Sequence, residues 1–280
     1  MTRRARWRLI AVLALVADTA VAADATVDRP AGIAGCGAPP ELIALGAALP
    51  RVASRIERRE TMTVVALGSS STQGTGASGP DKSYPSRLEV ELKARFPGLG
   101  IRVINRGRGG EEAPQMLARI ERDVLAEQPD LVIWQLGTNA VLRHDDVAYE
   151  EPVIEQGLAR LRNGGADVVL MDMQYAPRVL ARPASPAMER LIAGAAKREH
   201  VGLFRRFAIM QSWRAAEPPG SPAAVGPDGL HMNDRGYGCL AADLAEAVAA
   251  SWRLHEAAAQ TAGAAQWAGL AVAEPALVAP

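Results

Sequence analysis

Short apolar runs alternate along the chain with longer segments of mixed polarity. The runs that predict strands lie at 63–67, 101–104, 131–136, 167–173 and 201–207. Most of them are rich in Val, Ile and Leu and lack the alternation of a strand with one face in water. Runs of this kind are typical of strands that are buried on both faces of a sheet.

Between these runs, apolar residues recur at the spacing of a helix. After Tyr84, for example, Leu88, Leu92 and Phe96 share one face before a Pro-Gly pair ends the segment. The other predicted helices lie at 41–49, from there to about 59, and at 114–127, 152–162, 187–200 and 233 to about 252. Strands that alternate with helices predict an α/β fold, in which a mostly parallel sheet has helices on both faces.

The first apolar run turns abruptly into small hydroxyl residues, since the segment 68–74 reads Gly-Ser-Ser-Ser-Thr-Gln-Gly. A hydroxyl at the carboxyl end of a buried parallel strand lies at the edge of the sheet where open α/β folds bind ligands. Taken alone, the segment is equally compatible with a loop that has no chemistry. A nucleophilic serine also needs a base, an acid that orients the base, and donors for the oxyanion.

Three further stretches offer those groups. Asp228 and His231 are an acid and a base three residues apart in a glycine-containing turn. Gly110 ends the glycine-rich segment 105–110, and Asn139 follows the third predicted strand. A glycine N–H and an asparagine amide are donors that acyl-transfer sites use for the oxyanion. Each is an ordinary turn residue by itself, but together with the serine they form a consistent set.

Taken in the order of the chain, the four stretches resemble the motifs of the SGNH/GDSL hydrolase family. The resemblance covers residues 61 to about 250. The family's first motif, Gly-Asp-Ser-x-x-x-Gly, corresponds to residues 68–74. The resemblance implies that Ser70 is the nucleophile and that Asp228 and His231 complete a catalytic triad. It implies an oxyanion hole formed by the backbone N–H groups of Ser70 and Gly110 and the side chain of Asn139.

The resemblance also implies a three-layer α/β/α sandwich with a central, mostly parallel five-stranded sheet of the flavodoxin-like type. One departure is plain, because Ser69 stands where the family has an aspartate. That aspartate is not the acid of the triad. We therefore expect the serine to change the hydrogen bonding around the turn more than the identity of the catalytic residues.

The N-terminus has the pattern of a secretory signal peptide over residues 1–22. A basic segment at 2–8 precedes an apolar segment at 9–16, and Ala-Val-Ala at 20–22 is typical of a cleavage site. The alternative is an uncleaved helix that anchors the chain in a membrane. We expect export to the periplasm or the medium, with no stable membrane insertion after cleavage, because no later segment is long and apolar enough to span a bilayer.

The rest of the chain divides into three parts. Residues 23–60 form an N-terminal extension with short helices, 61–255 form the hydrolase domain, and 256–280 form an alanine-rich tail that we expect to be disordered. In an oxidising compartment, Cys36 and Cys239 are expected to form a disulfide that ties the extension to the last helix. Two buried free thiols are the alternative.

Composition and spacing argue against several classes of partner. The 31 basic and 31 acidic residues balance, so we expect no binding to nucleic acid. The spacing of the histidines, cysteines and acids suggests no zinc or calcium site. The glycine-rich stretches lack the lysine of a phosphate-binding loop. We therefore expect neither a metal nor a cofactor.

The sequence thus predicts an exported serine esterase that hydrolyses small acyl esters, acetyl esters first. A carbohydrate ester is favoured by the predicted location alone. Several polar residues near the expected site are either candidates for substrate contacts or, as we favour for any single one, solvated loop residues: Gln73, Arg106, Arg108, Gln174, Tyr175 and Arg178. The alternatives are a lipase or thioesterase with longer acyl chains, an acyltransferase, and a non-catalytic glycan-binding module on the same fold.

Overall fold

A central sheet of five parallel strands organises the protein. The computed structural model describes residues 36–218, 220–221 and 223–271, and side chains as far as residue 261, so the predicted signal peptide at 1–22 lies outside the described residues. The strands are β1 (Met62–Gly68), β2 (Ile101–Gly107), β3 (Leu131–Gln135), β4 (Asp167–Met171) and β5 (Gly202–Phe204), in the spatial order β2-β1-β3-β4-β5. The predicted fold class is confirmed.

The sheet separates two apolar cores, because successive side chains of a strand point to opposite faces. In β1, Val64 and Ala66 pack into one core, whereas Val65 and Leu67 pack into the other. All four side chains are fully buried. This double burial explains why the strand sequences are continuously apolar.

Twelve helices surround the sheet in the described part of the chain. They are α1 (Pro40–Ile43), α2 (Pro50–Arg58), α3 (Ser70–Gln73), α4 (Tyr84–Arg95), α5 (Ala113–Leu117), α6 (Ile120–Asp123), α7 (Thr138–Arg143), α8 (Glu150–Asn163), α9 (Pro177–Leu180), α10 (Ser185–Arg198), α11 (Arg206–Ala216) and α12 (Asp234–Ala271). Helices α4, α11 and α12 cover one core, and α5, α6, α8 and α10 cover the other. Two single 3₁₀ turns lie at Pro80–Lys82 and Leu125–Glu127.

The structure differs from the predicted elements at several places, some of which lie next to the site described below. The segment 114–127, predicted as one helix, is divided into α5, α6 and a 3₁₀ turn, because its backbone leaves the helical conformation at Arg119 and Val124. Strand β2 continues through residues 105–107, where we expected a turn, because Gly107 still pairs with Gly68 of β1. Helices α3, α7, α9 and α11 were not predicted, and the predicted helix at 41–49 is limited to α1, which ends at Ile43.

The last helix begins as expected and extends further. The Asn233 side chain accepts a hydrogen bond from the backbone N–H of Gly236 at 3.0 Å, which is the contact of a helix N-cap. Helix α12 continues to Ala271, beyond the predicted end near Trp252. Residues 256–271, which the sequence places in a disordered tail, are therefore helical; residues 272–280 lie outside the described part. No helix among the described residues is long and apolar enough to cross a membrane.

A disulfide joins the N-terminal extension to α12. Cys36 and Cys239 are bonded, with their Cα atoms 5.0 Å apart and 203 positions apart in sequence. Close by, the backbone N–H of Ala38 donates to the Asp243 carboxylate at 3.2 Å, and the Trp213 indole donates to the same oxygen at 2.9 Å. The extension is thus held by a covalent bond and by buried hydrogen bonds.

Replacement of both cysteines by serine is expected to lower the free energy of unfolding by about 2–5 kcal/mol, because the unfolded chain is no longer closed into a long loop. Urea denaturation followed by circular dichroism measures the change. Wild-type protein treated with a reductant is the control and should match the double variant. An unchanged unfolding midpoint would contradict a stabilising role for the disulfide.

Candidate active site

The carboxyl ends of the parallel strands bring the sequence-predicted residues to one edge of the sheet. Ser70 begins α3 two residues after Gly68, the last residue of β1. Asn139 lies in α7, which follows β3. Gly110 lies in the loop between β2 and α5. Asp228 and His231 lie in the loop that leads into α12.

Ser70, His231 and Asp228 form a continuous chain of hydrogen bonds. The Ser70 Oγ lies 2.8 Å from Nε2 of His231, and Nδ1 of His231 lies 2.5 Å from Oδ2 of Asp228. Because an ionised carboxylate only accepts, Nδ1 carries the proton toward Asp228 and Nε2 is left to accept from the serine hydroxyl. This tautomer is the one that can take a proton from Ser70.

The backbone of the turn holds Asp228 in place. Its Oδ1 accepts the backbone N–H groups of Leu230 and His231, both at 3.0 Å, while Oδ2 remains for the imidazole. Burial alone would raise the pKa of Asp228, but the Leu230 N–H and the His231 ring outweigh it and the pKa is lowered. Gly229 has φ +67°, a left-handed conformation that lets an acid and a base three residues apart face each other.

Next to Ser70, the loop after β2 and the start of α7 present hydrogen-bond donors. The Asn139 amide donates one N–H to the carbonyl of Glu111 at 2.8 Å, and its second N–H is free to bind another acceptor. Gly110 has φ +80°, which favours glycine. Within the described chain, the backbone N–H groups of Ser70 and Gly110 have no acceptor. The start of α3, the loop after β2 and the start of α7 thus carry hydrogen-bond donors that no group of the described chain uses.

Gln135 is the hydrogen-bond partner of Ser69, the residue that stands where the SGNH/GDSL family has an aspartate. Its Oε1 accepts the Ser69 backbone N–H at 2.9 Å and the Ser69 hydroxyl at 2.8 Å, and all these groups are buried. Gln135 is the last residue of β3, the strand beside β1. The sequence did not identify it, although a glutamine at the end of an otherwise apolar strand is a usable signal.

A second anchor that the sequence missed is Arg119, which is 4% exposed. Its guanidinium donates to the carbonyl of Gly68 at 3.2 Å and to the carboxylates of Glu111 and Asp123. Hydrogen bonds from Arg122 and Arg119 lower the pKa of Asp123 to about 2 despite its burial. Arg119 therefore connects the end of β1 with the loop that carries Gly110. The break between α5 and α6 occurs at this residue.

Four of the six polar residues that we considered for substrate contacts bind other groups of the protein, whereas Tyr175 is half-buried and Arg178 is exposed. Arg106 and Arg108 are engaged with the carboxylates of Glu127 and Asp123, and the Gln73 side chain accepts the backbone N–H of Gly109 at 2.9 Å. Gln174 is 1% exposed, which argues against its candidate role as a substrate contact. Its side chain is enclosed by hydrogen-bond partners in three separate parts of the chain, Thr138, Arg206 and Leu230.

An apolar cleft of about 550 Å³ lies on the outer side of the loop that carries the histidine. Its walls include Tyr175, Pro177, Leu180, Met210, Trp213 and Pro227.

Within the described residues, no group of three or more His, Cys, Asp or Glu side chains is arranged to hold a metal ion.

Two relatives share part of the sequence. An acetylxylan esterase from Geobacillus stearothermophilus is 34% identical over 88 residues, which are 31% of this chain and 40% of the relative. An arylesterase from Vibrio mimicus is 32% identical over 101 residues, which are 35% of this chain and 48% of the relative. The chain thus matches less than half the length of each.

Solved structures share the fold. A two-domain esterase active on acetylated mannans, crystallised with mannopentaose, has a TM-score of 0.61 at 22% identity over 74% of this chain and 55% of that chain. The acetylxylan esterase from Geobacillus stearothermophilus has a TM-score of 0.56 at 22% identity over 67% and 94%. An alpha/beta hydrolase from the metagenome of Lake Arreo, Spain, has a TM-score of 0.56 at 23% identity over the same shares.

The family match is much longer than the matches to single relatives. The model of the non-GDSL lipase-like family matches residues 35–254, which include every strand and the start of α12. This match confirms, at the level of the family, the resemblance to SGNH/GDSL hydrolases. The chain belongs to the non-GDSL lipase-like family.

Proposed function

We propose that this protein is a serine esterase that hydrolyses acetyl and other small acyl esters, with Ser70 as the nucleophile. The observation that carries the proposal is the hydrogen-bonded chain from Ser70 through His231 to Asp228 at the carboxyl edge of the sheet. The esterases among the relatives and the structural neighbours support the same class of reaction.

In the first half of the proposed reaction, the Ser70 Oγ attacks the carbonyl carbon of the ester while Nε2 of His231 takes the hydroxyl proton. The tetrahedral intermediate collapses, the bond to the alcohol oxygen breaks, and His231 returns the proton to the leaving alcohol. Asp228 stabilises the imidazolium through Nδ1. In the second half, water attacks the acyl-serine in the same way and releases the acid.

The oxyanion of each intermediate would be bound by three donors. These are the backbone N–H groups of Ser70 and Gly110 and the second amide N–H of Asn139. The contact of Asn139 with Glu111 supports this role, because it fixes the amide before substrate arrives. Preorganised donors of this kind contribute strongly to the rate, since they need no rearrangement in the transition state.

A carbohydrate ester is the substrate that we favour. Two similar proteins support this choice, because one is an acetylxylan esterase and the other is an esterase active on acetylated mannans. We further propose that residues 1–22 direct export and that residues 61–255 are the catalytic domain. The Cys36–Cys239 disulfide supports export, because such bonds persist in oxidising compartments.

A fluorophosphonate probe is expected to label Ser70, because a serine next to its base reacts with such electrophiles. Peptide mass spectrometry of the labelled protein identifies the site. Ser70→Ala should abolish both the label and the hydrolysis of p-nitrophenyl acetate. Ser71→Ala is the matched control, since Ser71 is the neighbouring buried serine, and it should keep the label. Folded wild-type protein that takes no label would refute the proposal.

Asn139→Ala is expected to lower kcat by about 10²–10³, with a much smaller change in KM, because it removes one donor to the oxyanion. Steady-state kinetics with p-nitrophenyl acetate measure both constants. Asn163→Ala is the control, because that exposed asparagine ends α8 close to the amino end of β4, at the edge of the sheet opposite to the proposed site. Equal kcat values for wild type and Asn139→Ala would exclude Asn139 from the oxyanion hole.

A further inference from the structure

One buried amide lies between the two loops that carry the proposed catalytic groups. Gln174 follows β4 and is 1% exposed. Its Oε1 accepts the hydroxyl of Thr138 at 2.8 Å and Nη2 of Arg206 at 2.9 Å. Its Nε2 donates to the backbone carbonyl of Leu230 at 3.3 Å. The amide oxygen of Gln174 therefore accepts two hydrogen bonds, and its NH₂ group donates one.

The partners of Gln174 are adjacent to the proposed catalytic residues. Thr138 is the first residue of α7 and directly precedes Asn139. Leu230 directly precedes His231 and is held from the other side by Asp228. Thr138 and Leu230 are 3% and 5% exposed, so water does not compete well for these contacts. A single side chain thus connects the oxyanion donor with the acid–base loop.

Arg206 determines which way the amide points. A guanidinium has donors and no acceptor, so the atom of Gln174 that faces Arg206 has to be the oxygen. The NH₂ group is then directed at the Leu230 carbonyl. Arg206 is fully buried, and within the described chain its Nε and Nη1 have no hydrogen-bond partner. Burial lowers the pKa of Arg206 to about 10, so it remains a cation at neutral pH.

A buried guanidinium with unpaired nitrogens is expensive for folding, and apolar replacements of buried charges are often neutral or stabilising. Arg206 is attracted to the buried carboxylate of Asp172, and a buried ion pair of this kind is weak evidence for a role in stability. Its hydrogen bond to Gln174 points instead to a role in positioning the residues of the proposed site.

We propose that Gln174 is a positioning residue, oriented by Arg206, that holds Asn139 and His231 in a fixed relation across the site. The inference rests on the esterase function proposed above. Gln174 does not touch substrate. It acts through Thr138 on the oxyanion donor and through Leu230 on the base, so that both meet the same acyl group.

Two conservative variants each break one of the two links. Thr138→Val removes the hydroxyl that donates to Gln174 but keeps the shape of the side chain. Gln174→Glu keeps an acceptor for Thr138 and Arg206 but turns an oxygen toward the Leu230 carbonyl, where a donor is needed. Each is expected to lower kcat for p-nitrophenyl acetate by about tenfold or more with KM changed less than about threefold, because small misplacements of catalytic groups act mainly on the transition state.

The readout separates positioning from a loss of folded protein. Sites that react with the fluorophosphonate probe are counted in each sample, kcat is expressed per reactive site, and the thermal midpoint is recorded. Thr138→Ser restores the hydroxyl and should restore kcat. Gln174→Glu should also shift the pH dependence of kcat/KM, because it places a carboxylate next to the acid–base loop and removes the donor to Leu230, whereas Thr138→Val adds no charge and should not.

Ser185→Ala is the matched control. Ser185 is 4% exposed and donates to the carbonyl of Val179 at 2.8 Å, so its loss removes a buried hydroxyl contact without touching Gln174. It should lower the thermal midpoint and leave kcat per reactive site unchanged.

Wild-type kcat per reactive site in both Thr138→Val and Gln174→Glu would overturn the inference and leave the esterase proposal standing. A loss in Thr138→Val that Thr138→Ser does not restore would also overturn it. If wild-type protein takes no label and hydrolyses no ester, the proposed function fails, and this inference fails with it.

Discussion

The parallel pairing of β1 with both of its neighbours is the constraint on which the site depends. β1 pairs with β2 from Met62 to Gly68 and with β3 from Val64 to Leu67. Because the strands are parallel, their carboxyl ends meet at one edge, and the chain has to turn there after each strand. A serine after β1, a glycine after β2 and an asparagine after β3 are thereby neighbours, although long segments separate them in sequence.

Beneath this edge, buried polar side chains fix the loops to the sheet. Gln135 binds the Ser69 backbone, Arg119 binds the carbonyl of Gly68, and Gln174 binds the Leu230 carbonyl. A buried polar group is costly unless it is hydrogen-bonded, so each of these side chains specifies one loop conformation. The same loops carry the donors and the base of the proposed reaction. Rigid support below the site leaves the reacting groups themselves open to substrate.

The last helix connects this site with the periphery of the fold. Its first turn follows the Asp228–His231 loop, and Asn233 caps it. Five residues after its start, Cys239 forms the disulfide with Cys36. The loop that carries the base is therefore continuous with an element that is covalently fixed to the N-terminal extension. Anchoring of this kind limits how far the loop can move from Ser70.

The sequence by itself determined the alternation of strands and helices, because continuous apolar runs and helical spacing are local patterns. It also indicated Ser70, Asp228, His231, Gly110 and Asn139, because each lies in a short motif beside a predicted element and the motifs together resemble those of one hydrolase family. The tertiary structure alone decided the supporting contacts. Gln135 and Ser69 are 66 positions apart, and Gln174 and Leu230 are 56 apart.

Contacts over such distances depend on which atoms the whole fold brings within about 3 Å, and no local pattern reports that. For the same reason the sequence listed Gln174 among the candidates for substrate contacts, since the partners that surround it are distant in the chain. The predicted helix at 114–127 failed on the same ground. Its periodicity is helical, but the tertiary contacts of Arg119 with Gly68 and Glu111 accompany a break in the helix. Local pattern indicates where the strands and most of the longer helices lie, whereas long-range contacts decide where some of them end and how the loops between them are held.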